Sequence, residues 1–463
     1  MENNTKPKVR FSVMRVWMVF AIPLFVIGII YTLFQVGYSL REWQGRRMLS
    51  QAIEDLNQKG IPTDSESLEL VYDAATSDAD TEAWLDLFEK LKSPEFKEAT
   101  RGIPHVDSTV ELAEGEDIFD TPRDWKYSSA AIRVVDMQRA YIEQIRQLAA
   151  APQPVRFPIY FESMNTLLPE VQDSRGLARL ICLDAQVAIY LGDSQRAFDD
   201  FVTLHHLVRH VETVPFSICL LVTKSIKSMA LSILQRGIEQ DLFTDIQLEA
   251  IDKILLENCD IGEEWRMSCE RDLGMFVPVF LDPSLTSQKK TKALPARGHD
   301  GVFYIELMTR LAQIPTTDWD FFYKSVCEED VRFRKEVLSW RGMIDLILTS
   351  LVAPSISTLA EISIDRAQHY RQARHGVAIR LFQHKHGKLP VSLSELSPFD
   401  PDMRAFRQQP FGYRLTPSGA TLWGGKFDDD YKEIPLAIPS LDTQTIDPLY
   451  DRNYVWNLEL KER

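Results

Sequence analysis

His206 and His210 are four residues apart, a spacing that sets two imidazoles on one face of a helix and suits a single metal ion. Asp199 and Thr203 fall on the same polar face, with His205 beside it, and no third strong ligand is evident. The choice is therefore between a two-histidine metal site and a solvent-facing polar stripe. His369, His375, His384 and His386 form a second cluster, the last two at a helix C-terminus where the dipole favours imidazolium. Glu263-Glu264 and Glu328-Glu329 are adjacent in sequence, so on a helix they point apart and do not make an acid–base pair. The five cysteines contain no CxxC and sit mostly in apolar helical context, which suits buried free thiols. No GxGxxG, Walker A, HExxH or GxSxG pattern occurs.

The elements that would position these residues are mostly helices. Gly176 to Leu191 is apolar with helical spacing, and Gly192-Asp193 ends it and caps the next helix. There Ala197, Phe201, Leu204, Val208 and Val211 recur at spacings of four and three, one apolar face. A third helix is expected from Pro215 to Gly237. A fourth opens on the capping box Thr244-x-x-Gln247, with Phe243 and Leu248 as a hydrophobic staple. Short links imply antiparallel neighbours. The Gly192-Asp193 join resembles the turn inside a tetratricopeptide repeat, without that repeat's Trp and Tyr positions. Helix is also expected over Ser128–Ala150, Asp318–Leu348 and Ile356–His386, the last ended by Gly387. From Pro410 the pattern changes to period two, with Phe411 to Leu415 and Ala420 to Trp423 flanking a hairpin signal at Pro417-Ser-Gly419, and a strand around Tyr454 to Leu460. A small antiparallel sheet packed on the helix that ends at His386 is the expectation. The fold class is mainly α.

Val16 to Leu40 carries no charge over 25 residues. As a helix that stretch is ~37 Å long, enough to cross a ~30 Å hydrocarbon core with some tilt. Trp17 lies near one end, and Tyr38 and Trp43 near the other. No other stretch matches it in length, Leu346 to Val352 being far too short. Lys6, Lys8, Arg10 and Arg15 precede it, and Arg41, Arg46 and Arg47 follow it, which favours an N-terminus inside. The reading is an uncleaved signal anchor with residues 16–40 in the bilayer. It divides the chain into a basic tail (1–15), the span (16–40), a helical linker region and loop (41–125), a helical body (126–375) and a helix-plus-sheet tail (376–463). Against 52 Lys and Arg stand 67 Asp and Glu, a net charge of −15, which excludes a nucleic-acid surface.

Ala378-Ile-Arg-Leu-Phe-Gln-His-Lys-His-Gly387-Lys-Leu-Pro390, followed by Leu393-Ser-Glu-Leu396, resembles the helix-to-head join of type II secretion major pseudopilins. Pro410-Phe-Gly-Tyr413-Arg414 is similar to their Pro-Trp/Phe-Gly strand, and Leu422-Trp423-Gly424 with Asp428-Asp-Asp430 to their Leu-Trp-Ser-x-Gly-x-Asp segment. The pseudopilin N-terminal motif is missing, and the whole helical body separates the membrane stretch from the sheet. The chain as a whole resembles large single-pass bacterial membrane proteins with a helical ectodomain and a pseudopilin-like tail. That resemblance implies an inner-membrane protein with its bulk in the periplasm. It also implies a calcium loop at Asp428, Asp429 and Asp430, with Asp442 or Asp451 as later ligands. The function expected is an envelope scaffold that binds another envelope protein and does no catalysis. The alternatives are an accessory of a secretion or pilus-like apparatus, and an enzyme whose site is scattered among helices.

Overall fold

Helices form where the sequence supplies an apolar face, and Asp64, Ser93, Asp193, Thr244 and Asp318 cap the starts of some of them. The computed structural model describes residues 13–107, 109–110, 125–285, 297–340, 342–353, 356–396, 411–423 and 455–459. α1 runs as one helix over Val13–Gln58, followed by α2 (Ser65–Ala75), α3 (Thr81–Lys92), α4 (Pro94–Ala99), α5 (Ser128–Met137) and α6 (Arg139–Ala149). The central helices are α7 (Pro169–Leu191), α8 (Ser194–Glu212), α9 (Ser217–Glu239) and α10 (Asp245–Glu257). α11 (Gly262–Leu281), α12 (Gly298–Ala312), α13 (Trp319–Leu338), α14 (Gly342–Asp345), α15 (Ile347–Val352) and α16 (Ile356–His386) complete the helical part. Strands β1 (Gly412–Thr416), β2 (Gly419–Trp423) and β3 (Val455–Glu459) form one antiparallel sheet in the order β1-β2-β3.

The local signals act as their chemistry requires. Gly192 ends α7 at φ 75°, a left-handed conformation that costs glycine little, and the Asp193 side chain accepts from the Arg196 N–H to start α8. The Thr244 capping box is complete, with Phe243 and Leu248 both buried. α9 runs two residues beyond Gly237, which is tucked under the Phe243 ring. Helix over 318–348 is interrupted, because Ser339 leaves the helical region at φ −65°, ψ 153°.

Buried apolar residues make two clusters. One gathers α2 to α10 with the sheet; the other gathers the C-terminal turns of α1 with α11, α12, α13 and α15. α16 belongs to both, giving Ile356, Ala360, Ile364 and Ala367 to the second and Tyr370, Ala373, Val377, Ile379 and Phe382 to the first. It is buried on nearly every side, so its polar residues find partners inside. Arg380, fully buried, donates to the carbonyls of Ile238 and Glu239 (both 2.7 Å) and to Gln383 Oε1 (2.6 Å), thereby capping the open end of α9. The sheet rests on α16: Trp456 covers Gly376, the Phe411 ring lies 4.5 Å from that of His375, and the Tyr413 hydroxyl donates to the Pro390 carbonyl at 2.8 Å.

Two stretches, Ile218–Glu239 within α9 and Ile347–His386 from α15 through α16, are long and apolar enough to cross a membrane by length and composition, the second running over residues 354–355, which lie outside the described ones. This corrects the expectation of a single stretch of that length. In this fold 61% and 50% of their apolar windows are buried within the body.

Candidate functional site

The histidine pair of α8 is not laid out on a free polar face. α8 is enclosed by α6, α7 and α9, and His210 is 1% exposed. Its Nδ1 accepts from the Val155 N–H at 2.9 Å and its Nε2–H donates to the Ala149 carbonyl at 3.0 Å. Both ring nitrogens are thus taken by backbone, leaving no lone pair for a metal ion beside His206. Thr203 is buried as well, so the expected solvent-facing stripe is corrected too. Among the described residues no group of three His, Cys, Asp or Glu could hold a metal ion. His384 bridges two carboxylates, Asp241 at 2.6 Å and Asp245, and so clamps the end of α16 to the α9–α10 link. Asp428, Asp429 and Asp430, with Asp442 and Asp451, lie outside the described residues.

Two carboxylates that share one site went unread in the sequence. Asp184 of α7 and Asp200 of α8 meet beneath Arg146, whose Nη2 reaches Asp184 at 2.6 Å and Asp200 at 2.7 Å; Arg196 also pairs with Asp184. Burial and the neighbouring Asp184 push the Asp200 carboxyl well up. Such a pair would suit proton transfer if a substrate could reach it. Asp200 is fully buried and Asp184 nearly so, and the group ties α6, α7 and α8 together instead.

A cleft of about 300 Å³ opens between the α8–α9 join and the α10–α11 join. Val214, Phe216, Leu220 and Met267 give it an apolar wall. Glu257, Asp260 and Glu263 stand exposed at its rim, and Lys227 and Arg271 lie deeper. The inner cations are held by Glu212, one through its carboxylate and one through its backbone carbonyl. Lys227 Nζ meets Glu212 at 2.5 Å, and Arg271 donates to the Glu212 carbonyl at 3.0 Å. Behind the wall Arg366 grips Glu264 with two nitrogens, one at 2.5 Å. Burial would raise the Glu264 carboxyl, but Arg366 and Lys227 reverse that and hold it below its ordinary value. Burial pushes the Cys219 thiol up to about 12, which keeps it from acting as a thiolate nucleophile. The cationic side chains that sequence alone gives as solvated faces or ion pairs are mostly ion pairs. Arg374 pairs with Asp252 at 2.8 Å, Lys224 with Asp365 at 3.5 Å, and Arg371 lies over Trp319 at 3.7 Å. The cleft can hold a ligand with apolar and cationic parts, while its buried charges act as structure.

Arg366→Met will strand Glu264 and cost about 3–5 kcal/mol of stability, read by chemical denaturation. Adding Glu264→Met will restore most of it. A single substitution as mild as the pair would show that the ion pair does not hold α16 to α11.

The five cysteines are free, with Cys182, Cys219 and Cys269 buried. No family model, no curated protein and no solved structure matches this chain.

Proposed function

We propose that the protein is a membrane-tethered interaction protein of the bacterial envelope. α1 is its signal anchor, with residues 16–40 in the inner membrane, the N-terminus in the cytoplasm and the body in the periplasm. One observation carries this reading. Among the described side chains from Phe25 to Trp43 the large apolar ones stand in the open around the helix, Phe25 at 70% and Leu33 at 66% exposure, whereas Leu49 and Leu56 of the same helix are buried. A helix apolar all round needs an apolar surrounding, and a bilayer supplies one. The antiparallel helices of the body, stacked in a TPR-like way, offer the cleft beside Phe216 as a dock for a partner segment with apolar and basic side chains. The acidic rim favours such a segment. The ionisable groups of the cleft also favour a second reading, an enzyme, but the unreactive Cys219 and the internal pairing of Lys227 weigh for binding.

The test is alkaline extraction of cell membranes containing the full chain. The wild-type protein will stay with the membranes. Ile29→Lys with Leu33→Lys, each substitution costing about 2.5–3.5 kcal/mol at a span centre, will release it. A photo-reactive amino acid at Leu220 will give one adduct, lost when Glu257, Asp260 and Glu263 become amides. Complete extraction of the wild-type protein overturns the anchor, and a C-terminal reporter active only in the cytoplasm overturns the orientation.

A further inference from the structure

The body meets α1 just where the apolar stretch ends. Arg41 of α1 pairs with Asp345 of α14 at 2.5 Å, and Glu42 accepts from the Gly298 N–H of α12 at 3.3 Å. The corner made by the end of α13, by α14 and by α15 therefore lies beside residue 41, at the level where α1 would leave the bilayer.

That corner is apolar and held in place. Leu338 is 73% exposed, Trp340 70% and Met343 61%, and Leu351 of α15 is open as well. Leu338 to Leu351 carries only two charged residues, Arg341 and Asp345, and Arg41 neutralises the second. The turn is tight: Gly342 donates to Ser339 Oγ at 2.9 Å, and a Cβ on Gly342 would sit 1.9 Å from the Glu336 carbonyl oxygen. Asp300 of α12 fixes the start of α15 by accepting from the Leu348 N–H (2.8 Å), the Thr349 N–H (3.1 Å) and the Thr349 hydroxyl. These apolar groups cannot fold back into the core without breaking those bonds.

We propose that this corner is a second membrane contact, in which Leu338, Trp340 and Met343 enter the interfacial layer of the bilayer that α1 spans. The proposal rests on the anchor reading above. Its occupant follows from continuity with α1: any bilayer around residues 25–40 continues to the level of Arg41. The residue types agree, since tryptophan settles at headgroup depth, as Trp43 would on α1. The charge agrees too. The chain carries a net charge of −15 and its first 15 residues are basic, so the acidic body would be repelled from anionic lipid over most of its surface, and this corner contributes no net negative charge. With two points of contact the body would lean on the membrane at a set angle rather than swing.

The experiment uses the full chain in phosphatidylethanolamine–phosphatidylglycerol vesicles, with Cys259→Ser and Cys327→Ser so that a single thiol is labelled. Met343→Cys carries an environment-sensitive fluorophore, and Ile246→Cys, 81% exposed on α10, is the control. Nitroxide lipids labelled near the headgroup will quench the Met343 label severalfold more than the Ile246 label, and its emission will shift to the blue. Equal quenching in vesicles that still float with the protein overturns the second contact alone. Failure to float removes the anchor reading and this proposal together. A blue shift that persists in detergent and grows with protein concentration identifies a second copy of the chain on the patch and overturns the lipid.

Discussion

Lowering the pH from 7 to 4 will remove much of the body's stability, because one buried and two half-buried histidines must take up protons to follow the solvent. Burial is the main cause at each. His105 is held down to about 3, with Arg179 and Arg175 adding to the effect. His205 is held down to about 4, and its neutral ring donates to the Phe201 carbonyl and accepts from the Tyr370 hydroxyl at 3.0 Å. His210 is likewise held down to about 4 between its two backbone partners. A histidine depressed in the fold stabilises it above the unfolded value of about 6.5, and that share is lost as pH falls through the folded value. Each is worth up to about 3–5 kcal/mol, so the three rival the ~5–15 kcal/mol that holds a typical domain. Asp300 works the other way. Burial raises it to about 6 against the bonds from Thr349 and Leu348, so its share is full below about 4 and is lost as pH rises through 6. Asp200 and Glu239, also raised by burial, act with Asp300, while Glu264, held down by Arg366, acts with the three histidines, which set the net direction. Thermal unfolding of the full chain in detergent between pH 4 and 8 will show Tm falling steeply below about 6.5, and His105→Gln will flatten the slope. A Tm that holds steady down to pH 4 would show that these imidazoles open to water.

How much of this was legible in the sequence depends on the range of the forces involved. Caps and turns are local, so Gly192-Asp193, the Thr244 box, the Pro417-Ser-Gly419 hairpin and both ends of α16 could be read directly. The Asp184–Asp200 pair was legible in principle. Both lie eight residues from Gly192, and an antiparallel hairpin brings such positions opposite one another. Neighbouring carboxylates in sequence give no hint of it, since the pair forms across the hairpin and not along one helix. His206 and His210 were misplaced for a different reason. Their spacing reports a helix face, but whether that face meets water depends on which helices close over it, and α6 and α7 reach α8 from outside its own sequence pattern. The cleft is less legible still. Its walls come from α8, α9, α10 and α11, and no one segment carries enough of them to make a motif.

α1 comes closest to α12 at two facing glycines, and Gly298→Leu will force the helices apart there. A Cβ on Gly298 would lie 2.2 Å from the Gly45 carbonyl carbon and 2.3 Å from the Arg46 nitrogen. Those are backbone atoms of a helix and have no rotamer by which to yield, so α1 must move away from α12. The move would lose the bond from the Gly298 N–H to Glu42 and the seat of Leu49 against Gly301 and Phe280. Overpacking of this kind costs about 1–3 kcal/mol, and each leucine then exposed adds about 1.5–3 kcal/mol. The remaining body keeps its other contacts, so the loss is local. Trypsin will cut the variant rapidly after Arg46 or Arg47, whose side chains are exposed but whose helical backbone is held against α12 at Gly298 in the wild-type chain, while α7 to α10 stay resistant. The Arg41–Asp345 pair depends on the same seat, so the variant will also lose the quenching of a label at Met343 while still floating with vesicles. Cleavage at the wild-type rate would mean that the two helices can separate by enough to hold a leucine, and that the body hangs from α1 by a hinge rather than resting against it.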